Sequence, residues 1–322
     1  MMNTKRFFFI AMALMLTVTA LVPTFAQEEP TEVRVWIAFT DDRLDWARER
    51  AEAFNEQFPE YNVVVEGYAN YNDLFDATVL AAESGTPPAV TQYFEAATQE
   101  ARDAVAPNGE PLFRSVEAAI DGREEINGVP VVLGDVVGSA AAYYTLDGEF
   151  TSMPWNTSSA IMFTNNDMLT AAGNEETPNT WAGIEEACAA ITELADGPEN
   201  CITWPNHSWF VEQTMGQLGE SLASNNNGRD ARADEIFLNS EGMIDYISWW
   251  KSMQDAGYYV YTGIQRDWTG TYNTFIAEQV AFLIYSSSDT TALTADGAEA
   301  GFEVIASFMP NNGEVELQGN II

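Results

Sequence analysis

The chain has 322 residues, of which 46% are hydrophobic and 12% aromatic, too apolar for a disordered chain and long enough for two packed lobes. Its formal net charge is −36, from 13 Lys and Arg against 49 Asp and Glu, which disfavours binding to nucleic acid or anionic lipid. With lysine only at Lys5 and Lys251 and a single histidine, the sequence contains no phosphate-binding P-loop and no histidine and cysteine cluster for zinc. We therefore expect neither a metal nor a cofactor.

Residues 1–26 have the pattern of a cleavable secretory signal. Lys5 and Arg6 precede an uncharged apolar run from Phe7 to Val22, and small residues lead to Ala26. An uncleaved membrane anchor is the alternative, although the run is shorter than the ~20 residues that a spanning helix needs. The pattern predicts secretion across the inner membrane, to the periplasm or the cell surface.

The N-terminal third of the chain alternates between predicted strands and helices. The strands are predicted at residues 32–39, 62–68 and 89–94, and the helices at residues 41–58 and 71–84. Asp41 or Asp42 can cap the first helix, and Pro59 ends it. Such alternation with short turns predicts a parallel sheet flanked by helices, where sites form beyond the carboxyl ends of the strands.

The rest of the chain has a weaker pattern up to residue 148 and then a second set of elements. Strand-like runs at 140–144 and 160–164 mark a lobe boundary, and we expect strands that cross between the lobes near residues 140 and 270. Further helices are predicted at 180–195, 208–222, 240–256 and 272–278, and further strands at 279–285 and 302–308.

The two cysteines, Cys188 and Cys201, stand on a predicted helix and at the start of a predicted strand. Export permits a disulfide between them, and a bridge that closes a loop of this size would contribute about 3 kcal/mol in the loop-entropy model. The alternative is a pair of small buried side chains that never meet. The sequence leaves both interpretations open.

Polar and aromatic residues gather where predicted strands begin or end. The segments concerned are residues 68–71, 93–95, 153–159 and 285–289. Aromatic faces cover apolar ring surfaces, and carboxylates and hydroxyls bind ligand hydroxyls, so the pattern indicates a sugar-like or polyol-like ligand. Plain structural roles are the alternative; Ser286, for example, could cap a helix. His207 is better explained as a structural histidine than as a base, because no Gly-x-Ser-x-Gly motif accompanies it.

Taken together, several segments resemble the extracellular solute-binding proteins of ABC importers, family 1. The segments are residues 54–59, 63–65, 69–72, 85–90, 92–95, 153–158, 163–165, 180–181, 223–228 and 285–287. The resemblance extends from about Val33 to the end of the chain. The Asn-Tyr, Tyr-Phe-Glu and Asn-Asn-Gly segments among them are most similar to the branch of the family that binds glycerol-3-phosphate.

The resemblance implies a two-lobed α/β periplasmic-binding-protein fold of type II, with parallel-type sheets flanked by helices and a ligand cleft between the lobes. Residues 30–138 and 275–322 would form lobe 1, and residues 139–274 would form lobe 2. Glu95 would accept hydrogen bonds from the ligand, Ser158 and Ser286 would donate them, and Tyr71 would also contact it. Trp155, Trp181 and Trp209 are candidate aromatic residues of the cleft. Trp181 and Trp209 could equally be core residues.

By the same resemblance the chain would be a monomeric solute-binding component without enzyme activity. It would capture a small polyol phosphate or sugar, with a glycerol-3-phosphate-like ligand favoured, and deliver it to the permease subunits of an ABC importer. Family members are normally longer, so we expect the C-terminal part of the family fold, including an arginine for the phosphate, to lie beyond Ile322. A secreted carbohydrate-active enzyme and a lectin-like sugar-binding protein remain alternatives.

Overall fold

The computed structural model describes residues 29–314 of the chain. The predicted signal at residues 1–26 lies outside these residues. The chain divides into two compact units, with unit 1 ending at Arg114 and unit 2 beginning at Ser115. Both units combine helices and strands, so the predicted α/β class is confirmed.

Unit 1 is built on a three-stranded parallel sheet. Its strands are β1 (Thr31–Ile37), β2 (Tyr61–Gly67) and β3 (Val90–Thr91), and its helices are α1 (Asp42–Gln57), α2 (Tyr71–Glu83) and α3 (Thr98–Asp103). The strand order is β2-β1-β3, and both pairings are parallel, as the alternation predicted. The third strand is shorter than the predicted residues 89–94, and a 3₁₀ segment follows it at Glu95–Ala97.

Helix α1 has a clear start and covers one face of the sheet. The side chain of Asp41 accepts a hydrogen bond from the backbone N–H of Arg43 at 3.1 Å, which satisfies one of the free donors of the first turn. The side-chain amide of Asn55 forms two hydrogen bonds with the edge strand β2: it donates to the Val63 carbonyl and accepts from the Val63 N–H. Two of the otherwise unpaired backbone groups of that edge are thereby satisfied.

Gly67, at the end of β2, lies where the chain approaches the end of β1. A Cβ atom there would clash with the carbonyl oxygen of Phe39 and lie 2.6 Å from Cδ2 of Leu44. We expect Gly67→Ala to lower the free energy of unfolding by roughly 1–3 kcal/mol, because the packed neighbours have to shift. Urea unfolding measures this, with Gly216→Ala as the control because a Cβ there meets nothing within 4 Å. Equal effects of the two substitutions would contradict the packing argument.

Unit 2 contains a four-stranded mixed sheet in the order β11-β8-β10-β9. The strands are β8 (Ala160–Asn165), β9 (Ile202–Thr203), β10 (Phe282–Ser286) and β11 (Val304–Phe308). Strand β8 runs antiparallel to β10 and β11, and β9 runs parallel to β10. Two short antiparallel hairpins precede it, formed by β4 (Glu125–Ile126), β5 (Val129–Pro130), β6 (Thr145–Leu146) and β7 (Glu149–Phe150).

Two helices of unit 2 occupy the positions of predicted strands. The helices of this unit are α4 (Val116–Ile120), α5 (Gly138–Tyr144), α6 (Asn166–Ala171), α7 (Trp181–Thr192), α8 (Ser208–Leu218), α9 (Glu241–Asp255), α10 (Trp268–Ile276) and α11 (Thr290–Ala300). The strands expected near residues 140 and 270 are therefore wrong, since α5 and α10 occupy those positions. In α5, three consecutive alanines with high helix propensity outweigh the strand preference of the tyrosines that follow.

Strands β10 and β11 both hydrogen-bond to β8, which places these two strands in the sheet of unit 2. The resemblance groups residues 275–322 with residues 30–138 in lobe 1. The assignment of lobes in the whole protein remains a prediction.

An aromatic stack forms part of the main core of unit 2. Trp181 and Trp204 both stack on Trp249, with ring centroids 5.4 and 5.6 Å apart and interplanar angles of 12°. The disulfide between Cys188 and Cys201 lies in the same core, with both side chains fully buried and Cα atoms 5.4 Å apart. This confirms the pairing that the sequence left open.

Candidate functional site

Tyr71 and Glu95 lie at the edge of the unit 1 sheet where the three parallel strands end. Tyr71 is the first residue of α2, which follows β2, and Glu95 begins the 3₁₀ segment after β3. Burial, and secondly the carboxylate of Glu95, raise the pKa of Tyr71 above its ordinary value. The phenol therefore remains a protonated hydrogen-bond donor, and the structure brings these two predicted ligand residues together.

Aromatic rings flank Tyr71 at this edge. The Phe39 ring meets it edge-on with centroids 6.2 Å apart, and the Phe94 ring lies 5.5 Å away. The Arg43 guanidinium lies 3.9 Å from the centroid of the Phe39 ring. Sequence reasoning did not propose these three residues as ligand contacts, although Phe39 and Phe94 occupy the same kind of strand-end position as Tyr71 and Glu95. That position was the signal that could have found them.

Ser158 and Ser286 are brought to one edge of the unit 2 sheet. The antiparallel register pairs Ser286 with Ala160, two residues after Ser158. The neighbouring residues are also joined, since Ser287 N–H donates to the Ser159 carbonyl at 2.9 Å and Ser159 N–H donates to Ser287 Oγ at 3.0 Å. The start of β8 and the end of β10 therefore form one hydroxyl-bearing edge.

The two predicted serines differ in their surroundings. Ser286 is buried, and its Oγ accepts a hydrogen bond from Ser288 N–H at 3.3 Å and lies 2.8 Å from Ser288 Oγ. It thus caps the 3₁₀ segment Ser287–Asp289, which is the structural role that the sequence left open. Ser158 is half-buried. Ser158 is consequently the more accessible of the two hydroxyls.

The three candidate aromatics have different positions within unit 2. Trp155 is 39% exposed and borders a hollow of about 340 Å³ whose other walls include Val137 and Met153. Trp209 is half-buried at the start of α8. Trp181 is buried in the core and donates its indole N–H to the Pro310 carbonyl at 3.1 Å. Of the two roles considered for Trp181, the structure therefore supports the core role.

These two sheet edges belong to a chain whose sequence matches a known family. Residues 49–321 match the family model of bacterial extracellular solute-binding proteins. The chain belongs to this family. The solute-binding protein has no helix among residues 29–314 that is long and apolar enough to cross a membrane.

Two curated relatives and one solved structure illustrate the similarity. The sn-glycerol-3-phosphate-binding periplasmic protein UgpB of Yersinia enterocolitica is 26% identical over 249 residues, 75% of this chain and 54% of the relative. The protein of the same name from Brucella abortus is 28% identical over 251 residues, 74% of this chain and 53% of the relative. The chain thus spans about half the length of these relatives.

The structural similarity concerns the fold. The GacH receptor of Streptomyces glaucescens, solved unliganded and with acarbose, aligns with a TM-score of 0.69 at 18% identity. The alignment covers 89% of this chain and 68% of the receptor. It confirms the predicted fold class, that of the type II periplasmic binding proteins.

His207 has a structural role in this solute-binding protein. Its Nδ1 accepts a hydrogen bond from the Trp209 N–H at 3.0 Å, which caps the start of α8. Burial, and secondly the charge of Arg266, lower the pKa of His207 below its ordinary value of 6.5. The ring is therefore neutral when it accepts this bond.

The lowered pKa of His207 predicts a pH-dependent stability. The unfolded chain takes up the proton on His207 more readily than the folded chain. The contribution of neutral His207 to the free energy of unfolding is therefore complete above about pH 6.5, and it is lost as the pH falls through the lower pKa of the folded state. We expect the free energy of unfolding of the His207→Asn variant, which retains a capping acceptor, to fall less steeply on acidification than that of the wild type. Urea unfolding at several pH values measures the difference, and parallel curves would contradict it.

Proposed function

We propose that the chain is the solute-binding component of an ABC importer, capturing a small hydroxylated solute and delivering it to membrane permease subunits. Tyr71 and Glu95 in unit 1, and Ser158 and Ser286 in unit 2, are the proposed ligand contacts. The single observation that carries the proposal is the family match over residues 49–321. The chemistry of both sheet edges, where a phenol, a carboxylate and hydroxyls gather, supports it.

Capture by such residues requires hydrogen bonding and no covalent chemistry. Glu95 can accept hydrogen bonds from ligand hydroxyls, and the protonated phenol of Tyr71 can donate one. Ser158 can do both. The half-buried ring of Phe94 offers an apolar face beside these polar groups, and such apolar surface with a few placed polar groups is typical of small-molecule sites. The proposal therefore has the protein release its ligand unchanged.

Two ligand classes are candidates. The names of the curated relatives favour glycerol-3-phosphate or a similar polyol phosphate. The acarbose complex of the structurally similar receptor favours a maltose-like sugar. Both classes present hydroxyl groups to a site of this composition.

Isothermal titration calorimetry tests the proposal directly. The full natural chain is titrated with glycerol-3-phosphate, glycerophosphodiesters and maltose-like sugars. We expect saturable binding of at least one of these ligands. Absence of binding by all of them would contradict the proposed ligand class, and consumption of any of them would favour a carbohydrate-active enzyme instead.

A further inference from the structure

The positively charged side chain of Arg43 lies at the carboxyl edge of the unit 1 sheet, beside the proposed ligand residues. The Arg43 guanidinium is held by Asp41, with Nε 2.9 Å from Oδ1 and 3.1 Å from Oδ2 of the carboxylate and Nη2 also bonded to Oδ2. Its Cζ atom lies over the Phe39 ring, 3.9 Å from the ring centroid. A guanidinium fixed by a carboxylate on one side and a ring below presents its N–H groups in a defined orientation.

The Asp41–Arg43 pair is accessible to solvent. The side chains of Arg43 and Asp41 are 46% and 45% exposed, so a solute can reach them. The hydrogen bond from Arg43 lowers the pKa of Asp41, so that the carboxylate stays ionised and continues to cap α1. Asp41 therefore both starts the helix and positions the guanidinium.

The pair is close enough to Tyr71 to act on the same phenol as Glu95. The positive charge of Arg43 lowers the pKa of Tyr71, whereas the negative charge of Glu95 raises it. Phe39, which carries the guanidinium, also meets the Tyr71 ring. One continuous group of side chains thus contains a fixed cation, two carboxylates and a phenol.

We propose that Arg43, positioned by Asp41, contacts the ligand and donates hydrogen bonds to hydroxyl groups of its uncharged part. The two carboxylates outnumber the guanidinium, so the group carries a net negative charge and would repel a phosphate. Hydroxyl groups both donate and accept, which suits neighbouring guanidinium N–H groups and carboxylate oxygens. The inference rests on the proposed function and adds a specificity-determining residue to it.

The test compares Arg43→Met with wild type by calorimetry, using maltose and glycerol-3-phosphate as probes. We expect the affinity of every probe that the wild type binds to fall about ten- to a hundredfold, as for the loss of a charge-assisted hydrogen bond. The ratio of the wild-type affinity to the Arg43→Met affinity should be the same at about 50 mM and about 0.5 M salt, because hydroxyl groups carry no charge to be screened. Arg50→Met is the matched control, since Arg50 lies on the same helix, over the Trp46 ring and beside Glu49.

Each outcome decides the inference. Unchanged affinity of Arg43→Met beside a binding wild type would overturn the role of Arg43 and leave the proposed function standing. A loss of affinity that becomes much smaller at high salt would show that Arg43 contacts a phosphate, and would overturn the proposed contact with hydroxyl groups. Wild-type affinity of Arg43→Lys would show that the positive charge alone is sufficient and would also overturn the hydroxyl contact. Absence of binding by the wild type would overturn the proposed function and this inference with it, whereas a thermal melt shows whether each variant is folded.

Discussion

Removal of the disulfide between Cys188 and Cys201 is expected to lower the free energy of unfolding by about 3 kcal/mol, because the bridge restricts the unfolded chain. The two half-cystines connect α7 with the segment that enters β9, and both lie in the main core of unit 2. The effect should therefore appear as loss of unit 2 structure.

The measurement is urea unfolding of the double variant Cys188→Ala and Cys201→Ala, followed by tryptophan fluorescence. Trp181, Trp204 and Trp249 pack in the same core and report on its unfolding. Wild-type protein with and without reductant provides the matched comparison, because reduction breaks the disulfide without replacing either side chain. An unfolding midpoint that is unaffected by both treatments would contradict the predicted contribution.

Replacement of Glu95 is expected to weaken ligand binding about ten- to a hundredfold, since hydrogen bonds to a charged group contribute roughly 1.5–3 kcal/mol. Glu95→Gln preserves the size of the side chain and removes the charge that receives ligand hydroxyls. It should also let the pKa of Tyr71 move back towards its ordinary value, because the carboxylate of Glu95 raises it.

Glu83→Gln is the matched control for this prediction. Glu83 is exposed at the C-terminal end of α2, whereas Tyr71 is at the N-terminal end of the same helix and thus at the proposed site. Calorimetry on both variants and the wild type measures the effect. Equal affinities of Glu95→Gln and the wild type would remove Glu95 from the set of ligand contacts.

The sequence was sufficient for the elements whose pattern is local. Strands β1 and β2 and helices α1 and α2 follow from hydrophobic periodicity, and the cap at Asp41 follows from a short polar side chain before an amphipathic run. Thr180 likewise caps α7 by accepting a hydrogen bond from the Gly183 N–H. Because these features depend on neighbours within a few residues, the sequence contains the information for them.

Features that depend on distant partners were not predictable in the same way. The pairing of β10 and β11 with β8 joins segments that are more than a hundred residues apart, and short apolar runs do not specify which strand they will join. The role of Arg43 was hidden for a related reason. Its spacing places it on the exposed side of α1, and only the folded chain shows that its guanidinium turns onto Phe39 near Tyr71.

Equilibrium dialysis of the full natural chain against labelled maltose and labelled glycerol-3-phosphate, with chemical analysis of the retained label, tests the central proposal most directly. The proposal predicts that the protein retains at least one of the two solutes at saturating levels and returns it chemically unchanged. Failure to retain either solute, or recovery of the label in a converted product, would contradict it.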